Sequence, residues 1–195
     1  MNSICVYCGS SAGVSPRYAE QARAMGAALV ARGITLVYGG GKVGLMGAIA
    51  DEVLRLGGQA IGVIPQALMD KEVGHQGLTR LHVVKNMHER KAMMADLADG
   101  FIAMPGGAGT LEELFEVFTW AQLRFHDKPI GILNTDGYYD GLLGFVMHSV
   151  EQGFLRAQQA RLLMTAPDPQ SLLARFDAYE VEPHDKFLNL VRSEG

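Results

Sequence analysis

Only two cysteines and a single tryptophan occur among 195 residues, no basic run appears anywhere, and no apolar run approaches the ~20 residues that cross a bilayer. Each absence removes a class of function. The 17 Lys and Arg residues are outnumbered by 21 Asp and Glu, for a formal charge of −4. A nucleic-acid-binding surface is therefore not expected, whereas small anionic ligands are. No signal-peptide pattern precedes Ser3-Ile4-Cys5-Val6-Tyr7-Cys8, so the expectation is a soluble cytoplasmic protein with no membrane contact. The cysteines form a CxxC, but they fall in an apolar run that reads as a strand, where positions three apart face opposite sides of the sheet. A redox pair sits at a helix start and a zinc site needs more ligands, so Cys5 and Cys8 read as two buried thiols. His75, His82, His126, His148 and His184 show no metal-ligand spacing, and no metal is assigned.

What the chain does have is glycine in telling places. The stretch Phe101 to Val117, FIAMPGGAGTLEELFEV, runs from an apolar strand through a glycine-rich loop into an acidic-headed helix. Gly106, Gly107 and Gly109 let the backbone turn sharply and present N–H groups to an anion. Thr110 stands where a helix N-cap belongs, and the free amides and positive dipole end behind it point into the same space. Thr110-Leu111-Glu112-Glu113 also has the spacing of a capping box. Spacing alone leaves Glu113 two roles, reaching back to the N-cap amide or taking part in catalysis. Two glutamates beside a phosphate site suit a substrate with positive character nearby, though the helix dipole also accounts for them.

The length suits one domain, 1–195, burying roughly 70–75% of its unfolded surface, with a polar, loose tail over about 181–195. Ile4–Cys8, Thr35–Tyr38, Ala60–Ile64, Leu81–Val84, Gly100–Met104 and Pro129–Leu133 read as strands separated by segments of helical period. The first of these segments, Pro16–Arg32, ends at Gly33, and Asp168-Pro169 opens the last helix. This alternation predicts an α/β, Rossmann-like, doubly wound fold: a mainly parallel sheet with helices on both faces. Ligands in such folds bind beyond the carboxyl ends of the strands. Gly9-Ser10-Ser11, Gly39-Gly40-Gly41 and Pro105–Gly109 all follow strands, so three small-residue loops should converge on one pocket. The segment Gln66–Thr79 reads as a loop or short helix able to cover that rim.

Residues 39–44 contain GxGxxG, yet a hydride-transfer site is not expected, because the next strand, Ile61-Gly62-Val63-Ile64-Pro65-Gln66, ends without the acid that holds ribose hydroxyls. A Walker A loop fails too, since Val43 follows Lys42. In the helix opened by Asn86, Arg90 falls between Met94 and Leu97 on the apolar stripe, where a guanidinium must snorkel out, join a structural ion pair or find an anionic ligand. Lys91 reads as a solvated or phosphate-facing charge, and Glu89 as a cap on Asn86. In the helix after Thr110, Leu111, Leu114, Phe115 and Phe118 form the expected core stripe, with Val117 and Trp120 almost opposite. A neighbouring helix or a second subunit must cover these two.

With MHERKAMM at 87–94 and PGGAGTLEE at 105–113, the chain resembles the Lonely Guy family, the cytokinin riboside 5′-monophosphate phosphoribohydrolases. The resemblance extends through CVYCGSS at 5–11, YGGGKVGLMG at 38–47 and TWAQLRFHDKPIG at 119–131, from Ser3 to about Phe176. It implies an N-glycosidase that releases free base and ribose 5-phosphate from a nucleoside 5′-monophosphate, cytokinin nucleotide or AMP, with neither metal nor cofactor. It further implies Arg90 and Glu113 as the catalytic pair, and Gly106, Gly107, Ala108, Gly109 and Thr110 as the phosphate loop. Gly9, Ser10, Gly40, Gly41, Glu72 and Lys91 complete the expected substrate-binding set. A homodimer is expected, with Trp120 and Arg124 at the contact. Members have also carried the label lysine decarboxylase, for which this sequence offers no pyridoxal-anchoring environment.

Overall fold

Alternate residues of the first strand belong to different cores, and this sorts the whole molecule. The computed structural model describes residues 1–70 and 74–181. Strand β1 (Ser3–Tyr7) is central. On one side it pairs with β2 (Thr35–Tyr38), beyond which lie β3 (Ala60–Pro65) and β4 (Arg80–Val84). On the other side it pairs with β5 (Phe101–Ala103), followed by β6 (Ile130–Leu133) and β7 (Leu163–Ala166). All of these pairings are parallel. The expected strands are present within a residue or two, and the sheet gains β7, which the sequence reading lacked. Its four residues, LMTA, carry no alternation and sit at the sheet edge, so periodicity had nothing to register.

Helices α1 (Pro16–Ala31) and α2 (Gly44–Arg55) cover one face. The short α3 (Gln66–Met69) follows β3, and α4 (Met87–Asp96), α5 (Ala108–Gln122) and α6 (Asp140–Glu151) cover the other face. After α7 (Ala157–Ala160), helix α8 (Pro169–Asp177) returns to the first face. Ile4, Val6 and Tyr38 pack with α1, α2 and α8, while Cys5, Tyr7 and Val37 pack with α4, α5 and α6. The predicted helix ends hold where their chemistry is local. Ser15 accepts from the Arg17 amide ahead of Pro16, Gly33 adopts φ 67° just past α1, and Asp168 accepts from Ser171 ahead of Pro169. Among the described residues, no helix is long and apolar enough to cross a membrane.

Strand order reverses at β1, whose neighbours β2 and β5 are reached by connections on opposite faces. That reversal opens a crevice between the loops following β1 and β5, where parallel α/β sheets bind ligands.

Candidate active site

The loop leaving β5 is pinned at several points. The Gly9 amide donates to Pro105 O (3.0 Å), Tyr138 Oη to Gly106 O (2.7 Å) and the buried Tyr139 Oη to Met104 O (2.7 Å). Helix α5 then begins at Ala108, with Gly107 as its N-cap and no side-chain cap. Thr110 therefore does not cap the helix as its spacing predicted. The helix starts three residues early, in the small Gly-Ala-Gly segment, and Thr110 lies buried in the first turn, its hydroxyl packed over Gly106. The first-turn amides and the positive end of the dipole are left facing a cavity of about 310 Å³. A Cβ on Gly107 or Gly109 would meet nothing within 4 Å, so the loop is bare on the side a ligand would approach.

Glu113 stands one turn along α5 and faces the same cavity. It is only 8% exposed, and so is not reaching back to cap its own helix. Instead, Arg90 Nη1 donates to its Oε1 at 2.7 Å, while Arg90 Nε donates to Val63 O of β3 at 3.1 Å. Arg90 itself is 9% exposed. Of the options its place on the apolar stripe left open, the guanidinium takes an inward ion pair. Burial pushes the Glu113 carboxyl above its ordinary value, and the charge and hydrogen bond of Arg90 pull the other way. Burial, with the Glu113 charge, also pushes the Cys5, Cys8 and Tyr7 groups up, so both thiols stay protonated. Cys5 and Cys8 belong to the two different cores, as the strand reading required, with Cys8 one residue past the end of β1.

Gly9, Ser10, Arg90, Gly107, Ala108, Gly109, Thr110 and Glu113 are thus brought to one cavity. Gly106 lines an adjoining space of about 280 Å³ with Tyr18, Leu45 and Tyr138. Three residues or groups are placed differently from the expectation. Gly40 and Gly41 do not line the cavity but receive the segment at 74–75: Gly41 bridges Gly74, and the His75 amide donates to Gly40 O at 2.8 Å. Lys91 is not part of the cavity lining, and its ammonium is held by Glu112 (2.5 Å) and Glu116 (3.0 Å), tying α4 to α5. Glu89 makes only half of its expected cap: its backbone N–H donates to Asn86 Oδ1 (2.9 Å), but its carboxylate accepts from the Lys85 amide (2.9 Å), one residue before Asn86. Glu72 and the tail from 182 lie outside the described residues.

Gly39, from the second small-residue loop, and Glu112, from the acidic head of α5, line the cavity too, and Val6, Tyr7, Cys8, Met46 and Met87 line it without having been singled out as site residues. Met87 stands three residues before Arg90, one helical turn, and that spacing was the available signal for it.

The inward face of α5 is also rotated from the expected stripe. Leu114 and Phe118 are buried, but Leu111 and Phe115 are only half-buried, while Val117 is 1% exposed. Turning Thr110 and Glu113 into the cavity carries Val117 inward with them, so this chain covers Val117 by itself. Trp120 is half-buried against the same core. Arg124, at φ 62°, follows α5 beside Asp127 (3.3 Å), at the helix end remote from Arg90 and Glu113.

A family model described as "Possible lysine decarboxylase" matches residues 46–176. The chain is 47% identical over 191 residues to a protein from Oryza sativa subsp. japonica named probable cytokinin riboside 5′-monophosphate phosphoribohydrolase, covering 98% of this chain and 78% of that one. It is 50% identical over 179 residues to a cytokinin riboside 5′-monophosphate phosphoribohydrolase from Arabidopsis thaliana, covering 92% of this chain and 82% of the relative. Among solved structures, a molybdenum cofactor binding protein from Rippkaea orientalis superposes with a TM-score of 0.69 at 20% identity, over 91% of this chain and 96% of that one. At that identity the likeness shows the fold alone.

Proposed function

The chain belongs to the Lonely Guy family of cytokinin riboside 5′-monophosphate phosphoribohydrolases, and from that membership we propose that it hydrolyses nucleoside 5′-monophosphates to free base and ribose 5-phosphate. One observation carries the reading. A buried carboxylate, held by a buried arginine, shares a cavity with an uncapped helix N-terminus. The 5′-phosphate rests on the amides of Gly107 to Thr110, with Gly9 and Ser10 opposite, which sets the ribose beside Glu113. As the bond from C1′ to the base breaks and its electron pair leaves with the base, the Glu113 charge stabilises the oxocarbenium sugar. Arg90 occupies Oε1, leaving Oε2 to take the proton of the attacking water, while the departing base gains a proton from solvent. Both AMP and cytokinin riboside monophosphate fit this scheme.

A binding module without turnover would use Glu113 only as a helix cap, and the Arg90 pair speaks against that. A pyridoxal-type role for Lys91 is disfavoured as well. Its hydrogen bond to Glu112 raises its pKa, and a Schiff-base lysine needs the opposite shift. Incubating the purified protein with AMP and with isopentenyladenosine monophosphate should release free base from at least one of them. Folded protein that releases base from neither would sink the proposal.

We place the protein in the cytoplasm, where two free thiols on opposite faces of a sheet are stable. A homodimer also belongs to this reading, resting on a different surface from the one expected. Helix α6 buries only Val146 while leaving Phe145 63% and Met147 52% exposed, and Phe154 beyond it is 90% exposed. Light scattering should give twice the 21.1 kDa chain mass, and a Phe145→Asp variant should return the monomer mass. A wild-type monomer at assay concentration would contradict this.

A further inference from the structure

The first glycine after β2 is not required by a left-handed turn. Gly39 is buried and lines the cavity, yet it lies outside the left-handed backbone region that Gly40 (φ 74°) and Gly44 (φ 62°) occupy. Its backbone would therefore accept an L side chain, and what the position lacks is room. A Cβ there would fall inside van der Waals contact of Arg90 Nη2, 3.2 Å from Arg90 Cζ and 3.3 Å from Met46 Sδ. The guanidinium is thus seated on three supports: Val63 O beneath Nε, Glu113 Oε1 on Nη1, and the bare Cα of Gly39 under Nη2.

We propose that Gly39 is a positioning residue for the Arg90–Glu113 pair, its missing side chain forming the socket that holds the guanidinium against the carboxylate. This rests on the hydrolase reading and adds to it a physical purpose for the first glycine of the GGG segment. A methyl group at 39 must push the flexible end of Arg90, because the Val63 carbonyl and the α5 backbone are fixed parts of the sheet and its covering helix. The displaced guanidinium then loses its bond to Oε1. Glu113 keeps its burial but loses the charge and hydrogen bond that lower its pKa.

The test is a double-mutant cycle of Gly39→Ala with Arg90→Ala, read by thermal denaturation and by base release from AMP or isopentenyladenosine monophosphate. In the wild-type background, Gly39→Ala should lower the melting temperature and cut kcat by about 10²-fold, with KM changed less than about threefold because the phosphate loop is untouched. The acid limb of its pH–rate profile should move to higher pH. With Arg90→Ala already present, Gly39→Ala should add no loss in either reading. Should Gly39→Ala fail to fold alone, the double variant should recover folding, since the clashing group is gone. Equal losses in both backgrounds, or a double variant that stays unfolded, would overturn the proposal. The thermal arm needs no turnover, so a wild-type protein that released no base would sink the hydrolase reading and leave the socket still testable.

Discussion

The two faces of the sheet are built to different standards. Under α1, α2 and α8 the described core carries no buried charge, with Met25, Leu29, Ile49 and Val53 fully buried. Under α4, α5 and α6 the same sheet carries Arg90, Thr110 and Glu113 in the interior and leaves Phe145 and Met147 of α6 in the open. One face fills space. The other holds a costly buried ion pair, which a purely structural design would exchange for packed apolar groups at no loss of stability. The difference teaches where to look for chemistry, and it can be broken experimentally.

The largest expected effect is on the active face. Glu113→Gln should lower kcat about 10²–10⁴-fold while nucleotide binding by calorimetry changes little, because the phosphate loop is intact. On the other face, Leu29→Ala or Ile49→Ala should cost about 2–5 kcal/mol of stability by denaturant titration. Base release per folded molecule should stay within about twofold of wild type, since neither side chain lines the cavity. A core variant on that face with intact stability and lost activity would erase the contrast.

Legibility followed the same division. On the sealed face, helix period, Ser15 and Gly33 for α1, and Asp168-Pro169 for α8 all act locally, so sequence patterns and structure agree. On the active face, the motif residues Arg90 and Glu113 were visible, but their geometry was not. Thr110 looked like a cap because its spacing to Glu113 is that of a capping box, but the helix already starts at Ala108 and Glu113 is taken by Arg90. Lys91 looked phosphate-facing because its partners, Glu112 and Glu116, lie on another helix. Gly39 could not be told from Gly40 and Gly41 until the guanidinium lay against it.

Smaller effects sharpen the picture. Lys91→Ala should destabilise by about 1 kcal/mol, since both of its carboxylate partners are partly solvated, and it should lower kcat less than either catalytic substitution. His126 tests the same face by pH. Burial lowers its pKa, so the folded state binds the proton less well than the unfolded chain. Its contribution is present above the ordinary histidine value and is lost as pH falls from there through the lowered folded value. His126→Gln should flatten stability against pH in that window. Glu113 has the opposite sign: its raised pKa favours folding at low pH, and that share is lost as pH rises through the folded value. Glu113→Gln should remove this slope, measured by denaturation at several pH values.

The most direct test of the central claim is single-turnover base release by wild-type and Glu113→Gln proteins, each saturated with AMP or isopentenyladenosine monophosphate. The account predicts release of free base and ribose 5-phosphate by the wild type, and a glutamine variant that binds the nucleotide but releases base at least about 10²-fold more slowly. Release by Glu113→Gln within about threefold of wild type would contradict it, because the buried carboxylate would then have no part in the bond cleavage.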